Sequence, residues 1–404
     1  MALFAPDPNI SAEDLISDLG RTLAERYQTA EDTLLRAVAV RAYRDVELQA
    51  KLNAAVAAGS DRVAGLRYAI DRNRALAELD GHRARSLREL RLLALTTADA
   101  LRAENLARDV ISAATTQGEA EAAARLSMAR RLPARTTLNG TATQATAATQ
   151  LSLQSSLEIL NQRITRLPVD AFQRIVAMNS SNVLLGVQTK LQAQNANVQQ
   201  FLSEGIQGFT DRGGRNWRIG TYAEMAGRTT VARAFNDAGV WRMQQSGINL
   251  VTVQGSDSSC AKCAPWVGKI LSTDGTTGTV ILPHATQDTE VTVNIAGTTD
   301  GARNAGLMHP NCSHKFTAYL PGLSIPQAGF EYDPKAEWAR TRQRELEVDI
   351  RAAKRKQAAA GDPVTAQRAK AKIRAKQAQL REHLNLTGRK RNSAREALSF
   401  ADGR

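Results

Sequence analysis

The stretches CAKCAPWVGK (260–269) and MHPNCSHKF (308–316) hold all three cysteines of the 404-residue chain. Cys260 and Cys263 form a C-x-x-C pair. Cys312 stands between two histidines, His309 and His314. Two short loops that each offer two soft or imidazole donors have the spacing of a tetrahedral zinc site that staples distant segments. The spacing favours Cys260, Cys263, His309 and Cys312 as ligands, with His314 as a substitute or an outer partner. Four protein donors make a closed, structural site. A disulfide within or between the pairs, or three packed free thiols, are the alternatives that spacing leaves open. His284 lies in a strand-like run and reads as a turn or surface residue.

Working outward from this knot, the period of the apolar residues is short. INLVTVQG, KILS, TVILPH, EVTVNIAG and KFTAYLPG are β-branched runs bounded by Gly, Pro, Asp and Ser, which predicts a small sheet over about 248–321. All four tryptophans (Trp217, Trp241, Trp266, Trp338) and all three cysteines fall within 217–338, which marks the compact mixed domain. The flanks read as helix. In SAEDLISDLGRTLAERYQTAEDTLLRAVAVRAYRDVELQAKL (11–52) Ser11 caps a helix whose Leu15, Ile16, Leu19, Leu23 and Tyr27 recur at helical spacing. A break at 58–61 leads to a second Arg/Ala/Leu-rich stretch, 62–131, interrupted by Gly81, like an extended hairpin or coiled coil. LPARTTLNGTATQATAATQ (132–150) reads as a linker, with helix resuming at about 151. Leu167-Pro168 marks a boundary, and a Gln/Asn-rich polar helix follows (187–209). Asp333-Pro334 and Asp362-Pro363 each start a basic helix, with Asp as cap and Pro at the first position. The two helices are split at Gly361. The expectation is an α+β, predominantly α-helical protein: helical N-terminal region 1–131, linker 132–150, helical neck 151–204, small mixed α+β domain 205–325, basic helical tail 326–404.

Charge is divided unevenly. The chain carries 53 Lys+Arg against 40 Asp+Glu. Residues 335–404 hold 19 against 8, so +11, and the remainder 34 against 32, so +2. A basic tail on a nearly neutral body implies an acidic partner, most simply nucleic acid, with a solvated helical face as the plain alternative. The tail residues expected to meet phosphate without reading sequence are Arg351, Lys354, Arg355, Lys356, Arg368, Lys370, Lys372, Arg374, Lys376, Arg389, Lys390 and Arg391. Few aromatics there argue against a single-strand reader. No run approaches the ~20 apolar residues of a membrane span, and no basic-then-apolar leader opens the chain, which predicts a soluble protein made in a reducing compartment.

Several segments around the knot resemble a known family. FTDRGGRNW (209–217), YAEMAGRTT (222–230), GINLVTVQ (247–254), CAPWVGKILS (263–272), GLMHPNCSHKFTAYLPG (306–322) and LTGRKRNSAREAL (386–398) are similar, in order, to the motifs of tailed-phage minor capsid proteins of the minor capsid 2 type. The resemblance spans about 200–400. These proteins are similar in turn to Mu F-like head morphogenesis proteins, in which C-x-x-C and a downstream HPNC element recur. Two departures stand out: many minor capsid members lack the C-x-x-C, and NCSH stands here in place of NCRH. The resemblance implies a virion protein, portal-proximal in the head interior and passing through host cytoplasm during assembly. Its expected partners are the portal protein, the capsid, double-stranded DNA through the tail, and other copies of itself. No membrane is expected among them.

Within these motifs Gly213-Gly214 permits a sharp turn, Trp217 anchors it, and Arg228 is an ion-paired strut or a ligand contact. Trp266 and Gly268 read as a packed ring and a tight turn. The Mu F-like group has been likened in fold to ADP-ribosyltransferases, which casts Arg228, Ser272-Thr273 and Glu290 as an NAD site. Fold likeness alone does not carry that activity, and the chain is read as a non-enzyme. It has no G-x-S-x-G and no H-E-x-x-H. A cytosolic DNA-binding scaffold is the remaining class.

Overall fold

The computed structural model describes residues 12–57, 65–128, 143–183, 198, 209–210, 214, 216–256, 259–310, 312–329, 331–358, 360 and 363–397. Ser11, the break at 58–61, Gly213, Gly361, Asp362 and, apart from Val198 and Phe209, the polar stretch 187–209 lie outside the described residues. The chain is α+β and mainly helical, as its periodicity predicts. It divides into two compact units, each built from three separated stretches. The first comprises Met1–Ala24, Asn105–Leu157 and Tyr222–Thr341; the second Glu25–Glu104, Glu158–Thr221 and Arg342–Arg404.

The helices are α1 (Ala12–Ala57), α2 (Gly65–Ala103), α3 (Leu106–Met128), α4 (Thr143–Val183), α5 (Ile219–Gln245), α6 (Thr299–Asn304), α7 (Pro334–Ala358) and α8 (Pro363–Thr387). Three differ from their sequence reading. α2 runs through Gly81 without a break, because a mid-helix glycine costs only about 1 kcal/mol and Ala75, Leu79 and Leu90 are buried on either side of it. The interruption falls instead at Asn105, whose φ of 51° is one Asn tolerates. α4 starts at Thr143, inside the stretch read as linker. That stretch carries a single charge, Arg135, but from Thr143 on it holds several alanines, the strongest helix former. α4 also continues through Pro168. The missing N–H leaves one carbonyl unpaired, at about 3 kcal/mol, while Leu160, Ile164, Leu167, Ala171 and Phe172 are buried on both sides and hold the helix.

In the first unit a four-stranded sheet has the order β7-β4-β3-β8, where β3 is Leu250–Gln254, β4 Ile270–Ser272, β7 Gly297–Thr298 and β8 Lys315–Ala318. β3 is antiparallel to β4 and β8, and β4 is parallel to β7. Val251, Val253, Leu271 and Phe316 turn one face onto Ala122 and Leu126 of α3 and Met243 of α5. The other face, with Leu250 and Tyr319, packs on Val293 and Ile295 of a hairpin formed by β5 (Gly278–Pro283) and β6 (Glu290–Ile295). Cover on both faces is why Leu250–Val253 are buried in succession rather than alternately.

In the second unit α1 and α2 are antiparallel: Arg26–Glu104, Arg41–Glu89, Arg83–Asp45 and Lys51–Glu78 pair in opposite chain order. A short hairpin of β1 (Phe209–Thr210) and β2 (Asn216–Trp217) turns through Gly214, whose φ is 77°. α7 and α8 pack through Leu346, Ile350, Leu380 and Leu384. The Asp333 carboxylate accepts from the Lys335 N–H at 2.8 Å, so the Asp-Pro start of α7 is capped as its chemistry demands.

Candidate metal centre and nucleic-acid interface

The first two donors lie on the turn that follows β3. The Cys263 and Ala264 N–H groups both donate to the Cys260 carbonyl, curling the C-x-x-C into a 3-10 turn at Ala264–Trp266. Gly268, at φ 76°, closes that turn by donating to the Val253 carbonyl, and the Trp266 ring packs against the core. The other donors come from the loop between α6 and β8. There the Cys312 N–H donates to the His309 carbonyl.

The structure brings all five sequence candidates together. Cys260, Cys263 and His309 form one cluster, and Cys263, Cys312 and His314 another, with donor atoms within 4.8 Å of one another in each. Cys263, Cys312 and His314 are buried. The Cys263 and Cys312 sulfurs are 3.7 Å apart. Zinc–sulfur bonds of about 2.3 Å at tetrahedral angles set two sulfurs about 3.8 Å apart.

The outer hydrogen bonds fix the imidazole tautomers. His309 Nδ1 lies 2.9 Å from the Pro310 carbonyl, which can only accept, so Nδ1 carries a proton and Nε2 is the nitrogen that faces Cys260 Sγ, at 2.9 Å. The Ser259 hydroxyl donates to the Ser256 carbonyl at 2.6 Å, so His314 Nε2–H donates to Ser259 Oγ at 2.8 Å. His314 Nδ1 is then bare and 2.8 Å from Cys312 Sγ. Both rings thus have the backing that orients metal-binding histidines. His309 is pushed up to about 9, first by its bond to Cys263 and against the opposing effect of burial, so a metal ion at Nε2 would have to displace a proton. Cys312 is lowered, first by Cys263, against the opposing effect of burial. Three cysteine sulfurs and two imidazoles are the donor set of a divalent soft-to-borderline metal such as zinc, which binds cysteine as thiolate.

Two supporting residues escaped the sequence reading. Asn236 of α5 is buried, donates to the Ala232 and His314 carbonyls at 2.8 and 3.2 Å, and accepts from the Phe316 N–H at 2.8 Å. It thereby fixes the backbone on either side of Lys315. Gly255 is the other: a Cβ there would meet the His314 ring. An Asn amid apolar helix positions was the one signal available for the first.

Arg228 is buried on α5, 3.9 Å from Glu224 of the same helix. Ser272 is fully buried in the sheet, whereas Glu290 is exposed at the end of the β5–β6 hairpin. His284 accepts at Nδ1 from the Thr286 and Gln287 N–H groups and so organises the hairpin turn.

The basic residues of the tail fall into two sets. In one, the side chains bind other parts of the second unit. Arg351 and Lys354 donate to the Arg395 and Glu396 carbonyls of a 3-10 turn, Ser393–Glu396. Arg391 grips the Glu396 carboxylate through two bonds of 2.6 and 2.7 Å. Lys376 pairs with Asp349 at 2.8 Å, and Arg389 donates to Gln343. Arg355 and Lys356 are half-buried. In the other set, Arg368, Lys370, Lys372, Arg374 and Lys390 are exposed. Beside the first set, Glu31, Asp32, Arg218, Arg351 and Arg355 line a small cavity of the second unit. Burial pushes Glu31 up to about 7 and Asp32 up to about 6, against the pull of Arg218.

A sheet unit whose Cys/His cluster could hold a metal ion and a basic helical hairpin mark an α-rich protein of mixed class. The particular assignment comes from comparison: residues 82–385 match the sequence model of the phage minor capsid protein 2 family, and the chain belongs to that family. The match extends well before residue 200, where the motif resemblance begins. No curated protein and no solved structure matches the chain. The chain is therefore a structural component of a phage particle. No described helix is long and apolar enough to cross a membrane.

Proposed function

We propose that this minor capsid protein is a low-copy component of the phage head interior, seated beside the portal. In this reading it carries structural zinc and touches packaged DNA through its tail, and it acts in head assembly or genome delivery. The observation that carries the reading is the exposed basic set on α8 in a chain of a capsid family. Packaged DNA is the densest polyanion such a chain can meet, and phosphate contact needs no base reading. Zinc, held by Cys260, Cys263, His309 and Cys312 with His314 in reserve, would add its binding free energy to the folding of a sheet whose strands are short.

Quantitative mass spectrometry of purified particles tests the location. A low, fixed ratio of this chain to the portal subunit is expected. Presence in lysate or precursors but not in mature particles would overturn a place in the virion head. Elemental analysis of the purified chain is expected to give one zinc per chain.

A further inference from the structure

Resting on the DNA reading above, we propose that α8 seats in the major groove of duplex DNA. An alanine strip faces the groove floor and two rows of cations reach the phosphates on either side. α8 buries Ala369, Ile373, Leu380, His383 and Leu384 against the hairpin. At 100° per residue, the opposite face is centred on Ala371, Ala375 and Ala378, and all three are exposed. Arg368 and Lys372 flank this strip on one side; Lys370, Arg374 and Arg381 flank it on the other, and all five are exposed. Successive members four residues apart stand about 6 Å apart along the axis.

The occupant follows from charge and shape. Between Pro363 and Arg381 no acidic residue interrupts the face, and Glu382 marks its end. An α-helix is about 10–12 Å across with side chains, and the major groove of B-DNA is about 12 Å wide. The alanine strip brings methyl groups close to the base edges and no hydrogen-bond donor or acceptor, with the exposed Gln367 one turn before Ala371 the amide at the start of that face. The helix's affinity is then set by phosphates and is indifferent to sequence. Lys376 is held by Asp349 at the inner edge and takes no part.

The test uses the full chain, a 20-base-pair duplex and its separated strands, titrated by fluorescence anisotropy over a range of salt. The duplex is expected to bind better than either strand. Removing one row, Arg368→Gln with Lys372→Gln, is expected to reduce the slope of log K against log salt by about 2. At 0.15 M salt that is a loss on the order of thirtyfold. The other row, Lys370→Gln with Arg374→Gln, is expected to do the same. Ala371→Leu with Ala375→Leu keeps every charge and the helix propensity. It is expected to weaken binding about tenfold or more with the slope unchanged, since the bulk keeps the helix out of the groove.

Row variants that leave the slope intact would overturn the proposal. If the rows matter and the leucines do not, α8 lies across the phosphates and the groove seat is wrong. Preference for single strands would also overturn it. A wild-type chain that binds neither form would remove the DNA reading itself and leave an acidic protein surface as the partner of these rows.

Discussion

The Cys/His cluster and the basic hairpin are both dense in polar side chains, and they dispose of them in opposite ways. In the cluster every donor turns inward: five side chains converge, and each imidazole is backed by its own outer hydrogen bond. In the hairpin the cations divide. Some satisfy carbonyls and carboxylates of their own unit, and the rest face solvent. A charge count treats all tail cations alike, whereas the partners of each side chain decide which are structure and which are surface.

The largest expected effect tests the inward half of this contrast. Cys263 belongs to both donor clusters and is fully buried. Cys263→Ser, or removal of metal by a chelator, is expected to cost the first unit more than about 4 kcal/mol. Melting would fall by on the order of 10 °C or more. Thermal unfolding followed by near-UV dichroism checks this. An unchanged midpoint in both cases would reduce the cluster to packed thiols.

A pH effect comes next, and it sharpens the outward half. Glu31 has a folded pKa of about 7 against an ordinary 4.5, raised by burial. A carboxyl raised on folding is better accommodated protonated. Its contribution is complete below pH 4.5 and is lost as pH rises through 7, by roughly 3 kcal/mol in total. The second unit is therefore expected to lose stability between pH 5 and 8. Glu31→Gln is expected to reduce that slope to the smaller part left by Asp32, whose carboxyl burial pushes up to about 6, and to raise stability at pH 8. Denaturant titrations at three pH values read it, and a slope left undiminished by the substitution would mean that Glu31 is not the group that titrates there.

How much of this was legible differs between the two regions for a physical reason. The knot was legible because cysteine and histidine are rare in this chain and their spacing in two short loops limits what they can do together. The strands were legible from β-branched runs between turn residues. The helix ends were less so: Gly81 and Pro168 are local breakers overruled by buried neighbours on both sides. A stretch with a single charge looked like linker although the alanines of its second half favour helix. The division of the tail cations was not legible at all, because it depends on contacts such as Lys376 with Asp349 and Lys354 with the Glu396 carbonyl, made between segments far apart in sequence. Nor does any local pattern reveal units assembled from three separated stretches.

Asn236→Ala is expected to cost about 2 kcal/mol, because the His314 carbonyl and the Phe316 N–H would both be left buried without their partner. β8 would also lose the bond that sets its entry, and under the proposed zinc reading the cluster's affinity for zinc is expected to fall although no donor is altered. Competition with a chromophoric chelator measures it. Equal affinity in variant and wild type would mean that the sheet alone holds His314.

The smallest effect separates structure from reserve in the hairpin. Glu396 is buried, and its carboxyl lies below the usual range, first because of Arg391 and despite burial. A lowered folded pKa gives stability that is present above the ordinary 4.5 and is lost as pH falls through the folded value, the opposite sign to Glu31. Arg391 is substantially exposed, so solvent screens the pair, and Glu396→Gln is expected to cost only about 1 kcal/mol at neutral pH. If Arg351, Lys354 and Arg391 serve only to hold the final turn, the variant lowers stability slightly and leaves the salt slope of DNA binding unchanged. If they are phosphate ligands held back by that turn, loosening it steepens the slope by up to about 3, one unit for each cation released. The division of the hairpin cations into an inner and an outer set predicts the first result.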